Sequence, residues 1–296
     1  MPRFPTLMHN HSKVHDIVRH QFPSVCHGRF LAVEDDLVRA GLGFTADMLS
    51  RLLYTAMLDR RILIEVRTKS KNPRWCTTPP RPPATLECFY QPWTNCSQIN
   101  RDQGGDVKRI SLRSYWSRGH WFGLKKHMHN MRPDPLQFLF RPNARVQRHV
   151  ADVVAQCGGR DYWTVFLRDS PEKRAELIQF KQMGPDDKLP GLEQYVRRLP
   201  GDVSRILWQT SNPALFEAAI NYSKQREGLK YCYTNFSRYA NDVWGGNNAN
   251  LTDESGLTSA INGELGRLGI GLISLKSSTW TSFLHAGNKR MRLIQI

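Results

Sequence analysis

The chain has 296 residues, of which 40% are hydrophobic and 23% charged, a composition that excludes a disordered polymer and leaves room for two domains of ordinary size. Lys and Arg number 42 against 26 Asp and Glu, and the resulting formal net charge of +16 favours an anionic partner: nucleic acid, a membrane surface or a phosphate-bearing small molecule. The basic residues are scattered in pairs such as Arg60-Arg61, Lys125-Lys126 and Arg197-Arg198, which argues against a dedicated nucleic-acid arm.

Residues 1–25 are polar and His-rich and read as an irregular leader. Met1-Pro2-Arg3-Phe4-Pro5 carries no apolar signal or anchor, so the chain is either cytosolic or begins downstream of a membrane anchor. Gly41-Leu42-Gly43 then opens a helix with Thr45 as its expected N-cap, because Leu49, Leu52, Leu53, Ala56 and Met57 recur at helical spacing. Arg61 to Val66 reads as a strand, and the loop, helix, strand order is half of a doubly wound layout. Residues 69–106 form a long Pro-rich excursion with one short strand expected at Leu86 to Tyr90. Helical character resumes over 114–157; an Arg141-Pro142 break precedes an amphipathic helix from Val146 to Val154, which ends near Cys157-Gly158-Gly159. The domain boundary is placed at that glycine pair.

The second half alternates strands and helices. Strands are expected at Trp163 to Leu167, Arg205 to Gln209, Leu229 to Thr234 and Ile270 to Leu275. Helices are expected at Leu192 to Leu199, Pro213 to Lys224, Leu257 to Leu268 and Thr279 to His285, with 286–296 as a tail. Such alternation implies a parallel sheet with right-handed crossovers.

Cys26, Cys76, Cys88, Cys96, Cys157 and Cys232 have neither CxxC pairs nor zinc spacing, so no structural metal is expected, and a bridge could brace the Pro-rich segment. Sequons begin at Asn10, Asn95, Asn221, Asn235 and Asn250, more than chance would place, which hints at a secretory compartment.

Chemistry concentrates where strands end. The apolar run Tyr162 to Leu167 breaks into Arg168-Asp169-Ser170-Pro171-Glu172-Lys173. Arg168 and Lys173 there suit either a phosphate or an ordinary surface ion pair. Ser277-Ser278-Thr279 would cap a helix, hold a phosphate at its N-terminus, or both. Gly41-x-Gly43 is either a packing turn or a backbone cradle. Thr210-Ser211-Asn212 and Thr234-Asn235 follow two further strands, and a parallel sheet would bring all these polar ends to one crevice. Serine- or cysteine-nucleophile motifs are lacking. His120, His127 and His129 follow the aromatic pair Tyr115-Trp116 and could border an acceptor.

In that order, the segments resemble the α-1,6-fucosyltransferase family and its bacterial nodulation relatives over roughly residues 41–285. Phe166-Leu167-Arg168-Asp169-Ser170-Pro171-Glu172-Lys173 is similar to the family's His-x-Arg-Arg-x-Asp-Lys with one residue inserted. Leu189 to Tyr195, Thr210-Ser211-Asn212, Ile273 to Ser278, Leu86 to Cys96 and Phe138 to Pro142 resemble further family segments. The resemblance implies an α/β, GT-B-like chain with two Rossmann-type domains facing a cleft. In this layout residues 26–157 would lie on the acceptor side and residues 160–285 would bind the nucleotide-sugar. It also implies inverting transfer of fucose from GDP-fucose to a hydroxyl of a glycan or glycoprotein, without a metal or other cofactor and without nucleic acid, in the Golgi or secretory lumen.

Under the same resemblance Arg168 and Lys173 hold the diphosphate. Gly41, Gly43, Asp169, Thr210, Ser211, Asn262, Ser277, Ser278 and Thr279 line the donor site, and Glu87 is the acceptor base with Glu172 as the second candidate. Three departures stand out: Phe166 replaces His, Asp169 replaces the second Arg, and Asn262 falls where the family has a carboxylate, with Glu264 nearby. A catalytically silent glycan- or nucleotide-binding relative and a basic nucleic-acid-binding protein are the competing expectations.

Overall fold

The computed structural model describes residues 11–26, 28–33, 42–65, 86–96, 106–110, 133–169, 171–179, 181–235, 253–276, 278–288 and 290–296. In chain order these form α1 (His11–Gln21), β1 (Arg29–Val33), α2 (Leu42–Leu58), β2 (Ile62–Glu65) and β3 (Asp106–Ile110). Next come α3 (Pro133–Leu139), α4 (Ala144–Gln156), β4 (Trp163–Phe166), α5 (Pro171–Gln179), α6 (Leu192–Val196), β5 (Arg205–Gln209) and α7 (Pro213–Gln225). The order closes with β6 (Lys230–Cys232), α8 (Asp253–Leu268), β7 (Gly271–Ser274), α9 (Thr279–Ala286) and β8 (Arg292–Gln295).

Two sheets result, both wholly parallel among the described strands: β2-β1-β3 and β6-β5-β4-β7-β8. The central strands are apolar along most of their length because helices cover both faces of a parallel sheet. Every residue of β4 and of β7 is buried. On one face Tyr162, Phe166, Leu207 and Leu272 pack with Ile261 and Leu265 of α8 and Phe283 and Leu284 of α9. On the other, Trp163, Val165, Leu167, Ile206 and Trp208 pack with Tyr195 of α6 and Ala219 of α7. The first of these clusters continues into Leu31 of β1, Leu49 and Leu53 of α2 and Phe140, so the apolar core runs unbroken past the Gly158-Gly159 junction.

Local chemistry sets several boundaries. Asn143 caps α4 by accepting from the Val146 N–H at 3.1 Å, and Val146, Val150 and Val153 form the buried stripe. The helix ends where Gly158 (φ 74°) and Gly159 (φ 124°) turn the chain through conformations that side-chain-bearing residues avoid. Disulfides join Cys26 to Cys96 and Cys157 to Cys232, and no described cysteine is free. No described helix is long and apolar enough to cross a membrane.

Several expectations are corrected. The leader contains α1, held by buried Val14 and Ile17 on one face. Thr45 is no N-cap: α2 begins at Leu42, which places Gly43 and buried Thr45 inside the helix. Leu86 to Tyr90 is a tight turn, with Phe89 and Tyr90 N–H groups donating back to the Leu86 carbonyl at 3.0 and 2.8 Å, and only Tyr90 bridges to Pro142. The charged segment after β4 leads into α5 at Pro171, one of the two expected continuations, whereas the supposed tail supplies β8, a parallel edge strand beside β7. Strands β1 and β3 were not foreseen: β3 (Asp-Val-Lys-Arg-Ile) mixes polar and apolar residues without strict alternation, whereas β1 carries the apolar run Phe30 to Val33. Their pairing, Arg29 opposite Asp106 through Val33 opposite Ile110, is a long-range contact with no local signal.

Candidate functional site

In the larger sheet the chain runs from β4 outward through β5 to β6, then returns to build β7 and β8 on the other side of β4. The order reverses between β4 and β7, and in open α/β sheets the crevice outside the carboxyl ends of the strands at such a reversal binds ligands. Arg168 follows β4 directly, and Ser278 starts α9 after β7. Both expected phosphate-site segments therefore flank this reversal.

Arg168 is half-buried, and its backbone N–H donates to the Tyr195 hydroxyl at 3.3 Å. Tyr195 is itself fully buried, and burial raises its phenol pKa, so the hydroxyl stays protonated beside the loop. The ladder extends one residue beyond β4, with the Leu167 N–H donating to the Gln209 carbonyl at 2.9 Å. Arg168 thus leaves the sheet from a fixed backbone position.

Asp169 is exposed, and its Oδ2 accepts from Nδ2 of Asn212 at 3.3 Å. Asn212 in turn caps α7, its Oδ1 accepting from the N–H groups of Ala214 and Leu215, while Thr210 Oγ1 accepts from its backbone N–H at 3.1 Å. The acidic departure at Asp169 is therefore tied to a structural amide between two strand ends. Ser211 sits half-buried in the same turn.

Lys173 occupies the first turn of α5, only 3% exposed, with Nζ 2.7 Å from Glu176 Oε1. A carboxylate partner at this distance neutralises much of the charge the sequence assigned to phosphate. Ser278 takes the N-cap position of α9, buried to 7% exposure, but its hydroxyl makes no capping bond to the helix. Instead Thr281 Oγ1 donates to the Leu275 carbonyl at 3.1 Å and closes the β7 to α9 connection. The helix opens immediately after the end of β7, with Thr279 as its first residue.

Asn262 lies in α8 against the ends of β5 and β6. Its backbone carbonyl accepts from Gln209 Nε2 at 2.7 Å, and its Oδ1 accepts from Thr234 Oγ1 at 3.1 Å. Glu264, the nearby carboxylate, belongs to a different environment: it lies 3.5 Å from Arg267, whose Nη1 donates to the Phe140 carbonyl. Both side chains are 11% exposed, next to buried Tyr90 and Tyr162.

Glu87 lies on the Leu86 to Tyr90 turn, half-buried, and its carbonyl accepts from Asn143 Nδ2 at 3.4 Å at the start of α4. Gly43 is buried in the first turn of α2. Gly41, Ser277, His120, His127 and His129 lie outside the described residues. Among the described residues no three His, Cys, Asp or Glu side chains converge in a way that could hold a metal.

This arrangement has solved counterparts. NodZ α-1,6-fucosyltransferase soaked with GDP-fucose superposes at a TM-score of 0.55 with 11% identity, covering 91% of this chain and 95% of that one. The chain shares its fold with NodZ. The Se-Met form of NodZ from Bradyrhizobium gives a TM-score of 0.54 at 10% identity, over 91% of this chain and 94% of that one. No protein-family model matches the chain, and no curated protein matches it. The resemblance read from the ordered segments is thus met by a likeness to NodZ that spans both sheets.

Within this NodZ-like fold, sequence reading missed Gln209 and Ser274. They end β5 and β7 in register with Phe166 on β4, and both are buried. The available signal was a polar residue closing an otherwise apolar strand in RILWQ and GLIS. Tyr195 was quoted in the resemblance, but its hydrogen bond to Arg168 could not be read from a separation of 27 residues.

Proposed function

We propose that the chain is a glycosyltransferase of GT-B type, divided near Gly158-Gly159, that transfers fucose from GDP-fucose to a hydroxyl of a glycan with inversion. The observation that carries this reading is Arg168 at the β4 to β7 reversal of a sheet whose fold is that of a protein soaked with GDP-fucose. The diphosphate would lie between Arg168 and the N-terminus of α9, where a guanidinium and the helix dipole both stabilise the charge that develops as the sugar departs. Asn262, Thr210 and Ser211 border the nucleoside end of the same crevice. Inverting attack needs a base for the acceptor hydroxyl, and Glu87 takes that role, with Glu172 as the alternate. The disulfides and sequons support a secretory compartment.

A second reading, a relative that binds the nucleotide without transferring sugar, is favoured by one observation. Lys173 Nζ lies 2.7 Å from Glu176 Oε1, so part of the charge expected to meet the departing diphosphate is neutralised within the protein.

Calorimetric titration with GDP, GDP-fucose, GDP-mannose and UDP-sugars tests the reading. GDP-fucose should bind, and Arg168→Ala should weaken GDP at least about tenfold, the equivalent of about 1.4 kcal/mol. Unchanged GDP affinity in that variant would overturn the assignment. Fucosyl transfer with Glu87→Gln, assayed on a panel of glycans, then separates enzyme from silent binder.

A further inference from the structure

We infer that Gln209 reads the base of the nucleotide, acting as a fixed hydrogen-bond acceptor for an N–H of guanine; this rests on the GDP-sugar reading above. Gln209 ends β5 beside Phe166, on the face of the sheet covered by α8, and is 3% exposed. Its Nε2 donates to the Asn262 carbonyl at 2.7 Å. A carbonyl can only accept, so this bond fixes which end of the carboxamide is nitrogen and leaves Oε1 as the other atom. Oε1 is buried and has no hydrogen-bond partner among the described residues.

Buried polar atoms are almost always paired, because one left without water or partner forfeits its hydration. Gln209 is therefore an oriented acceptor that the protein itself leaves unsatisfied. Across Phe166, Ser274 ends β7 at 0% exposure, and its Oγ is also unpartnered among the described residues. Two such atoms flank the strand that leads to Arg168, one residue inside the half-buried Thr210. A core position would favour an apolar residue, as Leu207 two residues earlier on the same face shows.

Guanine presents adjacent N–H donors at N1 and its 2-amino group, which match an acceptor of this kind. An uncharged amide reads them without the cost of burying a carboxylate. Asn262, whose Oδ1 is engaged by Thr234, holds the amide in place through its backbone and acts as a positioning residue.

The test is calorimetry on the full chain with GDP, inosine diphosphate, 1-methylguanosine diphosphate and inorganic pyrophosphate. Gln209→Met keeps length and burial but removes the acceptor, and Gln209→Asn withdraws the oxygen by one carbon; thermal unfolding verifies that each folds. Both should weaken GDP about tenfold, leave pyrophosphate unchanged and erase the preference for GDP over at least one of the two altered nucleotides. Unchanged GDP affinity, or equal losses for GDP and pyrophosphate, would overturn the role of Gln209. If wild type bound neither GDP nor pyrophosphate, the donor reading itself would fall.

Discussion

Asn212 joins two strand ends with one side chain: its Nδ2 donates to Asp169 Oδ2 after β4, while its Oδ1 accepts from the first N–H groups of α7 after β5. Asn212→Ala removes both functions. Loss of a helix cap costs about 1 kcal/mol, so unfolding followed by circular dichroism should shift down by about 2–4 °C. Asn212→Asp should keep the cap but set two carboxylates together, lowering affinity for GDP more than it lowers stability.

Asp169 places a negative charge next to Arg168 in the chain, at the edge proposed to hold a diphosphate. Its charge opposes an anion over a short distance through partly exposed surroundings. Asp169→Asn should therefore tighten GDP several-fold at low ionic strength, with the gain shrinking as salt rises. A titration series from 20 to 500 mM salt, on the order of one decade, checks it; an affinity unchanged at low salt would remove Asp169 from the phosphate field.

Lys173 and Glu176 form an ion pair whose two ends differ: the lysine side chain is 4% exposed and the glutamate 45%. Glu176→Gln leaves a buried ammonium without its carboxylate, which in this half-open setting should cost about 1–2 kcal/mol. If the crevice binds diphosphate, saturating GDP should restore more stability to the variant than to wild type. Equal stabilisation of both would mean that Lys173 serves the helix alone.

Asp106 carries a pH dependence of known sign. Hydrogen bonds from Arg61 and Arg29 hold its carboxyl below the ordinary value of 3.8. A depressed carboxylate contributes stability above the unfolded-state pKa and loses it as pH falls through the folded-state pKa. Wild type should thus lose unfolding temperature below about pH 4, and Asp106→Asn should show a shallower loss over the same window. Scans between about pH 2.5 and 6 make the comparison.

The Cys157–Cys232 bond closes a 75-residue separation and ties the end of α4 to edge strand β6. Chain-entropy arguments give about 4 kcal/mol for a loop of this size. Replacing both cysteines with alanine, or reducing the bond, should lower the unfolding temperature by roughly 10 °C or more.

Much of the larger sheet was legible in the sequence, because its central strands β5, β4 and β7 are covered on both faces and so are mostly apolar, and because Asn-Pro at 212–213 and Gly-Gly at 158–159 mark helix boundaries by local chemistry. Most elements not foreseen lie where local signals are weak. Strands β3 and β8 sit at sheet edges and mix polar with apolar residues, so partners far along the chain define them; β1, with its apolar run Phe30 to Val33, is the exception. Helix α1 has a mostly polar sequence, and its few apolar residues gain their meaning only against the core they meet.

The run from Trp163 to Lys173 divides the same way. Its sequence alone determined that an apolar strand ends in a cluster of charge, since burial tolerates no such residues inside a covered parallel sheet. Whether those charges face a ligand or one another depends on distances between distant segments, which only the folded chain sets. The tertiary structure gave Lys173 to Glu176 and Asp169 to Asn212, placed Arg168 at the reversal of strand order with its backbone N–H on the Tyr195 hydroxyl, and brought Gln209 beside Phe166 with an acceptor unfilled among the described residues.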